Sequence, residues 1–184
     1  WTSKAKDSII RSRLTTVAAV AKLVEELHSK PGVVIQASAI AVYGTSWTDT
    51  FDENSPKRVM DFPSDVVSRW EDAADSIQGV RLVKLRIGVV LGNQGGAFPI
   101  MRLPYRLGVG GKIGSGRQWL SWIHLEDIVR LIEFCMTHPA AEGPVNATAP
   151  EPVTNDQFGQ AVGRAYHRPH WFPVPAVMMK AVLG

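Results

Sequence analysis

Two apolar runs constrain the fold of this chain more than any other feature of its sequence. Residues 33–43 read VVIQASAIAVY and residues 81–91 read RLVKLRIGVVL, with almost no alternation of polar and apolar positions. Such runs are typical of β-strands that are covered on both faces, as the central strands of a parallel sheet are. We therefore predict that both runs are buried strands of such a sheet, and that the first one leads into a turn.

Helical patterns separate these strands. Residues 2–30 have the apolar period of a long helix, which Pro31 and Gly32 end. Further elements are predicted as helices over 61–76, 97–107, 125–138 and 154–166, a short strand over 145–149, and a helical piece after Pro173 and Pro175. Strands that alternate with helices predict the α/β class, with a Rossmann-like parallel sheet and helices on both of its faces.

The sequence offers few strands to flank two central ones, which need hydrogen-bonding neighbours on each side. The chain also opens at Trp1, just before a helix, and stops at Gly184, inside another helical pattern. We therefore expect a chain truncated at both ends, with N-terminal strands missing. Within 1–184 we expect a single, partial domain, in which 1–95 form the sheet and helix core and 96–184 mostly a smaller substrate-binding part.

Composition excludes several function classes. Hydrophobic residues make up 45% of the chain and charged residues 20%, as in ordinary globular proteins. The net charge is +3, but Lys and Arg are scattered, so we expect no nucleic-acid partner. No apolar run reaches the roughly 18 residues of a membrane helix, and a signal-peptide pattern is absent. With Cys135 as the one cysteine, the sequence predicts a cytoplasmic protein without membrane contact, and unpaired strand edges favour a homo-oligomer.

Several common motifs are missing from the sequence. No G-x-G-x-x-G follows a strand, no phosphate-binding G-x-x-x-x-G-K-[ST] occurs, and there is no G-x-S-x-G. The five histidines lack metal-ligand spacing, so no metal site is predicted. The glycine cluster over 108–116 has no strand leading into it, and we expect a flexible loop on the substrate side rather than a phosphate cradle.

The most informative segment is QASAIAVYG, residues 36–44, at the carboxyl end of the first predicted strand. Ligands bind at that edge of open parallel sheets. Ser38 and Tyr43 would offer two hydroxyl groups there to a carbonyl or hydroxyl substrate. Ser and Tyr are also common at strand ends, so simple hydrogen bonding stays an alternative.

Further segments have a familiar order and spacing. They read DENSP (52–56), RWE (69–71), LRIGVVLG (85–92), GGKIGSGRQWLSWIHLEDIV (110–129) and PVNATAPEPVTNDQF (144–158). Together they resemble the atypical, epimerase-related, NADP-binding short-chain dehydrogenase/reductases, and the resemblance covers essentially the whole chain. It implies a Rossmann-type sheet, and an NADP fingerprint that would lie upstream of Trp1. It also implies that Ala37, Ile87, Gly88 and Val89 lie beside the nicotinamide.

The resemblance carries over only part of the superfamily's chemistry. Ordinary members use a Tyr-x-x-x-Lys pair with a nearby Ser, because the lysine lowers the pKa of a phenol that otherwise titrates near 10. None of the three tyrosines here has that lysine. The remaining catalytic candidates are Ser38, which matches the superfamily serine if one residue is inserted before Tyr43, and Tyr43 as proton donor.

Two further residues lie where the family forms its cleft wall. Arg117 would clamp an anionic group of the substrate, with surface solvation as the alternative. His124 is a second substrate-binding candidate. Because it precedes a predicted helix, capping of that helix is its alternative role.

Two functions follow from this sequence. The first is an NAD(P)-dependent oxidoreductase or nucleoside-diphosphate-sugar epimerase-like protein acting on a small or nucleotide-linked substrate. The alternative is a non-catalytic dinucleotide-binding or regulatory protein that has lost the Tyr-x-x-x-Lys pair. A third reading is an incomplete chain with no function of its own, which would expose strand edges.

Overall fold

A computed structural model describes residues 2–173. The helices are α1 (Ser3–Glu26), α2 (Phe62–Ala74), α3 (Phe98–Arg106), α4 (Leu125–Thr137) and α5 (Asn155–Ala165), with a 3-10 turn at Ile40–Tyr43. The strands are β1 (Val33–Ala39), β2 (Arg81–Ile87), β3 (Val89–Leu91), β4 (Trp119–Leu120), β5 (Trp122–His124), β6 (Gly143–Ala147) and β7 (Val153–Thr154). The helix predicted after Pro173 and Pro175 lies outside the described residues.

Contacts divide the chain into two compact units. The first comprises residues 1–88 and 129–147, and the second comprises 89–128 and 148–184. The chain passes from the first to the second after Gly88, returns within α4, and passes to the second again after Ala147. A single, partial domain with a division near residue 95 stays a prediction of the sequence.

The first unit is built on a parallel sheet in the order β1-β2-β6. Its central strand β2 buries Val83 and Leu85, as the uninterrupted apolar run predicts. Beside the sheet, α1 and α2 pack together around Val17, Val24 and Ala74. Among the described residues, β1 pairs only with β2, so one edge of that strand has no partner there.

The prediction of one continuous strand over 81–91 is wrong at Gly88. The Gly88 amide donates to Ala147 O at 3.1 Å, whereas the next amide, of Val89, donates to Ser121 O at 2.9 Å. The backbone therefore changes partners at Gly88, and β3 pairs in parallel with β5 instead. The first apolar run is a strand that leads into a turn, as predicted: β1 ends at Ala39, opposite Ile87, and the chain then turns at Ile40–Tyr43.

Local signals fix the start of α2. Asp61 caps the helix, because its carboxylate accepts from the Ser64 amide at 2.9 Å and the Ser64 side chain returns a bond to the backbone of Asp61. The two residues together form a capping box. Pro63 occupies the first turn, where its missing N–H has no partner to lose.

The second unit contains the short pairs β3–β5 and β4–β7 with α3 and α5. Its core is formed by Tyr105, Phe158 and Val162. The glycine-rich segment is held against this core. The amides of Trp171 and Phe172 both donate to Gly110 O at 3.1 Å, and a Cβ at Gly110 would overlap the Tyr105 ring. The absence of a side chain at Gly110 permits this close packing, and residues 108–116 lie in a loop, as predicted.

Within residues 2–173, no helix is both long and apolar enough to cross a membrane. In the same part of the chain, no cluster of His, Cys, Asp or Glu is arranged to hold a metal ion.

Candidate functional site

The carboxyl ends of three parallel strands meet at one edge of the first unit. In this register Ala39 lies opposite Ile87, and Ile87 lies opposite Ala147. This is the edge at which open α/β sheets bind ligands. The polar side chains gathered there define the candidate site.

A bidentate ion pair lies at the centre of that edge. Arg86 Nε donates to Glu71 Oε1 and Arg86 Nη2 to Glu71 Oε2, both at 2.9 Å. The two side chains are 4% and 1% exposed, so the pair is removed from water. Ser38 Oγ also donates to Glu71 Oε1, at 2.6 Å. The hydroxyl of Ser38, which we predicted to face a substrate, is therefore hydrogen-bonded to a buried carboxylate.

Tyr43 completes this group of side chains. Its hydroxyl accepts from Arg86 Nη1 at 2.8 Å and donates to Asn146 Oδ1 at 2.7 Å. The Arg86 guanidinium also lies 4.9 Å from the ring centroid, and the ring stacks on Phe51 at 5.3 Å. The cation that the sequence analysis sought in a lysine thus comes from Arg86. We call Ser38, Tyr43, Glu71, Arg86 and Asn146 the edge network.

The loop between the 3-10 turn and α2 is tied to the edge network. Glu53 is the main link, because its carbonyl accepts from Arg86 Nη1 at 3.3 Å and its carboxylate accepts from the Asn146 amide at 2.8 Å. Lys57 Nζ lies 3.5 Å from Glu71 Oε2 and 2.7 Å from Asp72 Oδ1. These bonds anchor the loop to the sheet from several directions.

The electrostatics of the network favour its ionised form. Burial by itself raises the pKa of the Glu71 carboxyl. The hydrogen bonds from Arg86 and Ser38, together with the charges of Arg86 and Lys57, outweigh burial and hold that pKa below its ordinary value. Burial by itself lowers the pKa of the Arg86 guanidinium. Its hydrogen bonds to Glu71 and Tyr43 together outweigh burial, so this pKa lies above its ordinary value. Both partners therefore stay charged at neutral pH.

The predicted cofactor residues lie at the same edge or just beyond it. Ala37 is exposed, and its strand neighbour Ser38 is buried, as alternation along β1 requires. Ile87 and Gly88 end the central strand, and Val89 begins the second unit. The amides of Gly88 and Val89 already donate to backbone carbonyls, so neither N–H is available to a ligand.

The predicted substrate residues both belong to the second unit. Arg117 is exposed in the loop before β4, where its amide donates to Ser115 Oγ at 3.3 Å. His124 is exposed at the end of β5, and its Nδ1 accepts from the Glu126 amide at 3.3 Å in the first turn of α4. His124 thus has the capping geometry that the sequence analysis kept as its alternative role.

Sequence reasoning missed Glu71, Arg86 and Asn146. One signal was available, because Arg86 stands between Leu85 and Ile87 inside an apolar strand. A charged residue in such a run is buried only with a partner, so it implies a carboxylate nearby. The sequence alone does not say which carboxylate that is.

A second cluster of polar side chains, partly buried, lies in the second unit. Tyr105 OH lies 3.0 Å from His170 Nδ1, and His170 Nε2 lies 2.9 Å from Asp156 Oδ1. Tyr105 is 5% exposed. Burial first, and the negative charge of Asp156 second, raise the pKa of the Tyr105 hydroxyl. The histidine bridges a neutral phenol and a carboxylate.

Comparisons with known proteins agree with the resemblance seen in the sequence. No protein-family model matches the chain. The chain is 45% identical over 186 aligned residues to "Epimerase family protein YfhF" of Bacillus subtilis, covering 100% of this chain and 61% of that protein. The crystal structure of the human epimerase family protein SDR39U1 with NADPH is 37% identical, with a TM-score of 0.92 over 99% of this chain and 62% of that one. Over its whole length the chain is therefore similar to epimerase family proteins, as the resemblance seen in the sequence implies.

The fold of this family is also found in more distant structures. A dTDP-glucose 4,6-dehydratase from Bacillus anthracis, crystallised with NAD, aligns with a TM-score of 0.76 at 16% identity. At that identity the similarity concerns the fold alone, and it confirms the predicted Rossmann-like α/β class. The chain spans less than two thirds of the length of both the Bacillus subtilis and the human family members. The NADP predicted from the resemblance agrees with the NADPH in the human crystal structure.

Proposed function

We propose that this protein binds NADP(H) and acts as an epimerase-related oxidoreductase. The similarity to the human family member crystallised with NADPH carries the proposal, because it extends over 99% of the chain at 37% identity. When bound, NADPH would supply the hydride, and the protein would supply binding and orientation.

The residues at the sheet edge fit one end of such a cofactor. Ala37, Ala39 and Gly88 have small side chains or none, which leaves room for a flat ring to approach the strand ends. No G-x-G-x-x-G motif joins a strand to a helix in this sequence, so the fingerprint that would cradle the pyrophosphate is missing from it. We therefore assign Ala37, Ile87, Gly88 and Val89 to the nicotinamide side. Gly88 and Val89 would contact it without their amide protons, which are already bonded.

Tyr43 is the acid–base candidate of this proposal, with Arg86 in place of the superfamily lysine. The Arg86 guanidinium donates to the phenol oxygen at 2.8 Å and brings a positive charge next to it. The proton of Tyr43 is held at Asn146 Oδ1, 2.7 Å away, and must leave that bond to reach a substrate. Ser38 would hold the substrate oxygen only by releasing Glu71.

A second candidate function is a dinucleotide-binding protein without catalysis. The burial of the edge network favours it, because Ser38 and Tyr43 are each 4% exposed and both hydroxyls have protein partners. In that case the network serves to hold the loop and the strand ends in place. Cofactor binding would persist, and turnover would be absent.

The two candidates are separated by measuring binding and turnover on the same protein. NADPH fluorescence titration of the intact protein reports binding. NADPH oxidation with nucleoside-diphosphate sugars and small carbonyl compounds reports turnover. Binding with turnover that Tyr43→Phe lowers at least about tenfold supports the enzyme. Binding without turnover supports the second candidate, and absence of NADPH binding contradicts both.

The substrate, partners and location of the whole protein belong to the same proposal. We propose a small-molecule or nucleotide-linked substrate, with Arg117 clamping an anionic group and His124 at the cleft wall. The scattered Lys and Arg support the absence of a nucleic-acid partner. A cytoplasmic homo-oligomer without membrane contact stays a prediction of the sequence, which native mass spectrometry and cell fractionation would test.

A further inference from the structure

An open cavity lies at the end of α5, within the second unit. Its volume is about 400 Å³, and it is lined by Gln160, Gly163, Arg164, His167, Arg168 and His170. We call it the α5 groove. Four of its six lining residues are Arg or His, and none is acidic.

The two arginines of the α5 groove have no counter-ions in the part of the chain that the structure describes. Arg164, His167 and Arg168 are exposed, and within residues 2–173 none of their side chains makes a hydrogen bond or an ion pair. The carboxylate of Asp156 is already engaged, because it accepts from His170 Nε2 and Gln160 Nε2, both at 2.9 Å. The groove therefore holds uncompensated positive charge.

These side chains are not needed to complete the end of the helix. Cations are often placed at helix C-termini because the last carbonyls are unsatisfied. Here backbone amides satisfy them, since His167 N donates to Arg164 O at 3.1 Å and Arg168 N to Gly163 O at 2.9 Å. The side chains are left free to point their charges into the groove.

The backbone conformation of His167 is an independent indication that the α5 groove has a binding role. His167 has φ of 51°, and it is the one residue other than glycine with a positive φ within residues 2–173. The position just after a helix strongly favours glycine in this conformation. A histidine there accepts backbone strain and places an imidazole in the groove.

We propose that the α5 groove binds a phosphate or diphosphate group. Two guanidinium groups offer the planar donor pairs that phosphate oxygens accept, and His167 and the second amide hydrogen of Gln160 can add further donors. The proposal goes beyond NADP(H) binding at the sheet edge of the first unit and does not depend on it. The source is either a free phosphate or the phosphates of a nucleotide.

The test is a calorimetric titration of the intact protein with inorganic pyrophosphate at low ionic strength. The double substitution Arg164→Gln/Arg168→Gln is expected to weaken binding at least about tenfold. Arg106→Gln is the matched control, because Arg106 is an exposed arginine of the same unit that does not line the groove. It is expected to leave the affinity unchanged.

His167→Gly separates a binding role from a structural one. Glycine relieves the left-handed backbone, so the variant is expected to keep or gain thermal stability. Its pyrophosphate affinity is expected to fall severalfold. Unchanged affinity in both groove variants would overturn the proposal. An equal loss in Arg106→Gln would overturn it too, because it would indicate unspecific attraction.

A parallel titration with UDP identifies the source of the phosphate group. Much tighter binding of UDP than of pyrophosphate supports a nucleotide, and equal binding supports free phosphate.

Discussion

The two units place their charged side chains in opposite environments. In the first unit Arg86 and Glu71 are 4% and 1% exposed and share two hydrogen bonds. In the second unit Arg164 and Arg168 are exposed, and within residues 2–173 they have no partner. Breaking a buried pair leaves a charge without water or counter-ion, whereas removing an exposed cation changes folding little. The edge network should therefore govern the stability of the first unit, whereas the arginines of the α5 groove should affect the proposed phosphate binding and not stability.

The largest loss of stability is expected for Arg86→Met. The substitution leaves the Glu71 carboxylate buried without its bidentate partner and removes a donor to Tyr43. We expect the free energy of unfolding to fall by about 3–5 kcal/mol, measured by urea denaturation at neutral pH. Replacing both charges, as in Glu71→Leu/Arg86→Met, should recover a large part of that loss, because no unpaired charge remains. A loss below about 1 kcal/mol in the single variant would mean that the pair is not buried as described.

The next largest loss of stability is expected for Gly159→Ala, which tests packing in the second unit. An added Cβ would overlap the Tyr105 hydroxyl and the His170 ring. We expect a loss of about 2 kcal/mol in chemical denaturation, although alanine by itself favours a helix by about 1 kcal/mol. Gly95→Ala is the control, because nothing lies within 4 Å of its Cβ. The two variants should differ clearly, and equal stabilities would rule out the tight contact.

Low pH should destabilise the first unit, because it protonates Glu71. The folded state holds the pKa of this carboxyl below its ordinary value of 4.5, so the unfolded chain binds the proton more readily. The stabilisation is complete above the unfolded pKa and is lost as pH falls through the folded pKa. We expect the free energy of unfolding to decrease with falling pH below about 4.5, and Glu71→Gln to flatten this decrease. A pH profile that is the same in both proteins would contradict this role of Glu71.

Local sequence signals predicted most of the elements in this fold. The helix predicted over 61–76 is α2 at Phe62–Ala74, because a capping residue and an apolar period are both local. The break at Gly88 was missed because it depends on pairing with Ala147 and Ser121, which lie far along the chain. The short strands β4, β5 and β7 were missed for a similar reason, since two or three residues carry no periodicity.

The candidate site was predictable only in part. Ser38 and Tyr43 were found because the end of an apolar run marks the ligand-binding edge of a parallel sheet. Their partners were missed, since Glu71 is 33 residues from Ser38 and Asn146 is 103 residues from Tyr43. Hydroxyl groups that face a ligand and hydroxyl groups that face a buried carboxylate look alike in a sequence, and only the fold separates them.

The smallest effect is expected for an ion pair that lies in the first unit but in water. Lys22 and Glu26 face each other on α1 at 3.7 Å, and their side chains are 73% and 63% exposed. We expect Lys22→Gln to change the free energy of unfolding by less than about 0.5 kcal/mol, because solvent screens the pair and ordering two long side chains opposes it. The same unit would then contain an ion pair whose loss is severe and another whose loss is barely measurable in urea denaturation. If Lys22→Gln cost as much as Arg86→Met, burial could not be the cause of the difference between the charges of the two units.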